Sequence, residues 1–147
     1  MLYYVALAAL AGFFLPLQSL INARISGLIN GPMLAALVNF VSGTIAIVLL
    51  IALFRIPLPT AAQASQVPSY GWLTGLFGAF FVAQAAFTVP KLGAAGMIAL
   101  VVTGQMFGSM VFDHFGIMQP VHPVTLQKAL GAVFLMAGVF LILRPGQ

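Results

Sequence analysis

The sequence predicts an all-α integral membrane protein with five transmembrane helices, on three observations. Of its 147 residues, 63% are hydrophobic and 4% charged, where a soluble domain carries about 25% charged residues. So few charges cannot cover a water-facing surface. The apolar residues also fall into runs of about 20, the length a helix needs to cross the hydrocarbon core. Finally, stretches such as IAIVLLIALF at 45–54 are apolar on every face. A transmembrane barrel strand alternates instead.

Taken in order, the spans cover about 2–20, 32–54, 70–89, 93–112 and 124–143, as one domain over 1–147. The first is bounded by Asn22–Gly31, which holds Arg24, Gly27 and Asn30. It has no basic residue ahead of its apolar run and no small-residue cleavage site after it, so it reads as a retained span rather than a signal peptide. The second ends at Arg55–Pro68, rich in proline with Gln63, Ser65 and Gln66 between. Pro90 and Lys91 separate the third span from the fourth. Asp113–Pro123 precedes the fifth, and Pro123 is placed to open it.

Charge excludes several functions and leaves orientation open. The net charge of +4 comes from isolated residues, without the basic runs of a nucleic-acid binder, so no nucleic-acid partner is expected. With no cysteine, disulfide and thiol chemistry are excluded. Five spans put Arg55 and Lys128 toward the N-terminal side and Arg24, Lys91 and Arg144 toward the other. Orientation follows the Lys/Arg excess in short loops, and here the two sides nearly balance. Either a weak single orientation results, or the chain inserts both ways and pairs antiparallel. An antiparallel pair would supply the inverted repeat that many secondary transporters use for alternating access.

Small and polar residues inside the spans carry the remaining information. Close backbone approach at glycine is a main source of helix association in lipid. Gly75, the Gly104/Gly108 pair and the Gly131/Gly138 pair are therefore candidates for helix packing or a dimer interface. Polar groups in hydrocarbon need partners or a cavity. Gln18 and Asn22 can share a helix face, as can Asn39 with Ser42 and Gln84 with Thr88. Gln105, Ser109 and Asp113 form one stripe at four-residue steps. These amides either bond between helices or line a substrate cavity of Gln18, Asn22, Asn39, Gln84, Gln105 and Ser109. Phe13 and Phe14, one turn from Gln18, could border it. Tyr3, Tyr4, Tyr70 and Trp72 suit an interfacial belt.

Asp113, the sole acidic residue, and neighbouring His114 are the candidates for ion coupling. Residues adjacent in a helix point to different faces, so no direct relay is implied. Asp113, His114 and His122 lack a metal-site spacing, and no metal or cofactor is expected. No second carboxylate, phosphate-binding loop or HExxH is present, so the chain reads as no enzyme.

Several stretches resemble a known family: LQSLINARIS at 17–26, Gly31 with LAALVNFVSGT at 34–44, YGWLTGLFGAFFV at 70–82, PKLGAAGMIALVVTGQMFGSMVFDHFG at 90–116, and Pro123 followed by LQKALGAVFLMAGVFL at 126–141. They are similar to the YdcZ-like members of the drug/metabolite transporter superfamily, with GQ at 104–105 and DHFG at 113–116 the most specific matches. The resemblance implies a five-helix unit equivalent to half of a ten-helix bundle, in a bacterial inner (plasma) membrane, working either as an antiparallel homodimer or in a paired or fused form. It supplies no substrate; the paired amides at helical spacing in an otherwise apolar chain point to a secondary transporter or facilitator of a small organic metabolite or drug-like molecule. It places Gln18, Asn22, Asn39, Phe40 and Gln105 through His114 at motif positions. The smaller multidrug exporters of that superfamily rely on a glutamate in the first helix, and this chain has no glutamate. The competing expectation is a non-transporting partner that stabilises another membrane protein.

Overall fold

The computed structural model describes residues 1–144. Its helices are α1 (Leu2–Leu28), α2 (Pro32–Leu53), the short α3 (Ala61–Ala64), α4 (Thr74–Phe115) and α5 (Leu126–Leu143), with a 3₁₀ turn at Ser69–Leu73 before α4. The protein is all-α among the described residues, and four of these helices are long and apolar enough to cross a membrane. At 1.5 Å per residue, α4 would be about 63 Å long, roughly twice the hydrocarbon thickness. It is not continuous: Gly93 leaves helical conformation at φ 72°, ψ 160°. The long apolar helices therefore supply four to five crossing segments.

α1, α2 and α4 end where the backbone can turn left-handed, not where the apolar run stops. Beyond Leu20 the chain becomes polar, yet α1 continues to Leu28. It stops because Asn30 takes φ 44° and lets the Gly31 N–H reach back to the Ser26 carbonyl at 3.1 Å. The same closing bond recurs after α2, where Arg55 has φ 50° and the Ile56 N–H donates to Ile51 at 3.0 Å. It recurs after α4, where the Ile117 N–H donates to Phe112 at 2.9 Å. Each bond satisfies a terminal carbonyl that hydrocarbon would leave bare.

Helix starts follow the same accounting. Pro32 opens α2 behind Gly31, since the first turn has no use for its missing N–H. α5 starts at Leu126, later than Pro123 suggests, because the Thr125 hydroxyl accepts from the Lys128 N–H at 3.3 Å and caps the helix there. Thr60 and Gln63 cap α3 reciprocally. Pro90 does not part the two spans: α4 runs through it, and the break comes three residues later. A proline removes one N–H from the ladder. Gly93 adopts a conformation essentially closed to other residues.

The chain divides into two compact units, Met1–Pro90 and Lys91–Gln147, the second described as far as Arg144. In the first, α1 packs on α2, and the buried residues of these two helices are small or polar: Ser19, Asn22, Ala35 and Ala36. α2 also meets the first part of α4, where a Cβ added at Gly78 would lie 3.0 Å from Phe40 Cζ. In the second unit α5 meets the later part of α4, and a Cβ at Gly96 would lie 2.9 Å from Leu143 Cδ2. Large apolar side chains point outward instead; Phe80 and Phe134 are about three-quarters exposed. Lipid is as apolar as leucine, so close approach at small residues replaces burial of large ones.

Substituting Gly93→Ala should lower stability by about 1–3 kcal/mol, because the backbone there is closed to alanine. Gly43→Ala, on open helix surface, should lose nothing. Circular dichroism during SDS titration of the detergent-solubilised protein measures both.

Candidate functional site

The first unit gathers three of the predicted amides. Gln18 and Asn22 lie one turn apart on α1, and Asn39 faces them from α2. Gln18 Nε2 donates to Asn39 Oδ1 at 3.1 Å, and Asn22 Nδ2 donates to the same oxygen at 3.3 Å. One acceptor thus holds two donors from the facing helix. Asn22 is 3% exposed, whereas Gln18 opens outward. Beside them lies a cavity of about 270 Å³, lined by Phe14, Leu17, Gln18, Ile21, Asn22 and Asn39. Of the two phenylalanines expected to border it, only Phe14 does; Phe13 stands edge-on to it at 5.9 Å between ring centroids.

The local sequence explains why these residues meet. The four-residue step brings Gln18 and Asn22 to one face, and Ser19 between them is buried with its hydroxyl bonded to the Leu15 carbonyl at 2.9 Å. On α2, Ser42 donates to the Asn39 backbone carbonyl at 3.0 Å rather than joining the amides. Neighbours Asn39 and Phe40 point to different faces. Asn39 meets α1, and Phe40 meets Gly78 of α4.

The remaining predicted residues do not join this cluster. Gln84 borders a larger apolar cavity of about 680 Å³ between α2 and α4, with Phe40, Phe80 and Phe87. Its side-chain oxygen accepts from Thr88 Oγ1 at 3.3 Å. In the second unit, Gln105 is exposed and Ser109 donates to the Met106 carbonyl at 2.9 Å. Gly75, Gly104, Gly131 and Gly138 would meet nothing within 4 Å if given a Cβ, and Gly108 would meet only Phe112 at 3.9 Å. Within either unit, close approach between long helices falls at Gly78 and Gly96 instead. Glycine spacing marks possible contact faces, but only the neighbouring helix decides which are used.

Asp113 and His114 tie down the loop between α4 and α5. The Asp113 backbone carbonyl accepts from the His122 N–H at 2.8 Å. Its carboxylate accepts from Gln119 Nε2 and lies 4.0 Å from Lys128 Nζ. That ion pair is partly solvated and contributes little by itself. His114 Nδ1 accepts from the Val124 N–H at 3.5 Å. Among the described residues, no three metal-ligating side chains converge.

Because both interhelical bonds end on one oxygen, Asn39 should dominate the energetics of the cluster. Asn39→Leu should destabilise by about 1–3 kcal/mol, since each such bond in a membrane contributes about 0.6–2 kcal/mol. Gln18→Ala and Asn22→Ala should each cost less, and almost nothing further once Asn39 is gone. A double-mutant cycle by SDS titration would read this coupling, and additive losses would show the bonds to be independent.

Residues 3–141 match the family described as "Putative inner membrane exporter, YdcZ". The chain is also similar to "Inner membrane protein YdcZ" of Escherichia coli (strain K12), with 30% identity over 141 residues, covering 91% of this chain and 90% of that protein. No solved structure matches. Four to five apolar crossing segments and a match along nearly the whole chain lead to one conclusion: this multi-pass membrane protein belongs to the YdcZ family of the drug/metabolite transporters.

Proposed function

We propose that the protein is a secondary transporter or facilitator of a small organic metabolite or drug-like molecule in a bacterial inner membrane. The observation that carries this reading is the convergence of Gln18, Asn22 and Asn39 on a cavity in an otherwise apolar pair of helices. Polar side chains at membrane depth are costly and mark pathways. The description of the family as an exporter, and the inner-membrane relative, point the same way.

In this reading the chain is one five-helix transmembrane domain, half of a ten-helix bundle, completed by a second copy inserted the other way up. The exposed Gln105 side chain makes no hydrogen bond among the described residues, and Gly104 beside it is open. A second copy would cover both. The pair would then rock around the polar cavity in alternating access.

Purified protein in liposomes should show saturable flux of small organic solutes. Asn39→Ala or Gln105→Ala, compared at equal amounts of folded protein, should reduce it, and unchanged flux in both variants would remove these residues from the pathway. Orientation is tested separately, since the chain has no cysteine. A single Ser65→Cys, in the exposed segment after α2, should be labelled partly from each side of intact cells. Labelling from one side alone would rule out the antiparallel pair.

A further inference from the structure

We infer that the α1–α2 pocket takes an uncharged solute bearing both hydrogen-bond donors and acceptors, and binds it without taking up a proton or other ion. This inference rests on the transport reading above and specifies its substrate class.

The argument starts from the atoms that line the pocket. Three side chains, Gln18, Asn22 and Asn39, provide its polar groups; Phe14, Leu17 and Ile21 complete it. None of the six can gain or lose a charge in the physiological range. Three carboxamides bring six N–H bonds and three carbonyl oxygens. The two internal bonds use one N–H each from Gln18 and Asn22, and they occupy the Asn39 oxygen. About four N–H donors and about four acceptor lone pairs remain, with no net charge. The residual recognition surface is therefore balanced between donating and accepting. It complements hydroxyl or amide groups, which do both, better than an ammonium, which only donates, or a carboxylate, which only accepts.

Charge makes the discrimination sharper. An ion entering a low-dielectric site pays a large desolvation penalty unless an opposite charge meets it. This pocket supplies none. One aromatic ring, Phe14, offers a cation only a weak face compared with an aromatic cage. The one acidic side chain, that of Asp113, is engaged by Gln119 in the loop after α4 and by Lys128 at the start of α5. A neutral solute loses less on leaving water, and the amides replace its hydrogen bonds. A volume of about 270 Å³ lies at the small end of ligand pockets, so the solute is metabolite-sized.

The test uses the full chain in liposomes. Stopped-flow light scattering follows entry of xylitol and N-acetylglycinamide, both uncharged, and of tetramethylammonium chloride and sodium lactate. A capacitively coupled membrane records charge movement. The neutral probes should enter faster than into protein-free liposomes, with no current and no dependence on an imposed pH gradient. Asn39→Leu should weaken half-saturation by about tenfold, the loss of one to two hydrogen bonds. Gln18→Glu, which installs a carboxylate, should shift preference toward tetramethylammonium and introduce pH dependence. If tetramethylammonium or lactate crosses through the wild type while neutral probes do not, transport stands and the uncharged-solute assignment falls. If Gln18→Glu keeps the wild-type preference, the pocket does not set selectivity and the assignment again falls. If no probe of any class exceeds the protein-free rate, the transport reading falls and this inference with it.

Discussion

The Asn39 carboxamide oxygen, shared between Gln18 and Asn22, holds α1 to α2 where few other forces distinguish one helix partner from another. In water two helices associate by hiding leucine from solvent. In hydrocarbon that advantage disappears, and specificity passes to polar bonds and close contact at small residues. The first unit shows both: the amide knot lies on one side of α2, and the Phe40–Gly78 contact lies on the other. Asn39 and Phe40 are adjacent in sequence, so the register of α2 sets both contacts at once. Rotating α2 by one residue would lose the amide bonds and lift the ring from the glycine together.

The knot has a second consequence. The amides that join the helices also leave donors and acceptors facing a cavity, so structure and recognition draw on the same three side chains. A substitution there changes stability and binding together, and separating the two requires a folding measurement beside every flux measurement. By contrast, Asp113 and His114 close a loop through backbone and side-chain bonds. Their position in a specific sequence motif is accounted for, at least in part, by the turn between α4 and α5.

The all-α class and the long apolar helices were legible from composition and run length, because hydrocarbon demands internally bonded backbone and therefore helices. The pairing of Gln18 with Asn22 was legible from their four-residue step. Other features were not. α1 outlasts its apolar run because polarity does not end a helix; a left-handed residue does, and Asn30 supplies it. The break in α4 comes at Gly93 rather than Pro90 for a related reason, since a helix survives one missing N–H more readily than a glycine-only conformation. The glycines at GxxxG spacing looked equivalent to Gly78 and Gly96 in sequence. Which glycine receives a neighbouring side chain depends on where Phe40 and Leu143 arrive.

Scarcity of charge, taken from the sequence alone, determined that this chain lives in a membrane, that its helices are apolar all round, and that amides must be its main polar chemistry. Those conclusions follow from hydration, which depends on what the residues are and not on where they lie. Only the tertiary structure decided which amides meet. Gln18, Asn22 and Asn39 converge, while Gln84 turns to an apolar cavity. A hydrogen bond reaches about 3 Å, so it depends on the register of one helix against another, and spacing along a single helix does not contain that information.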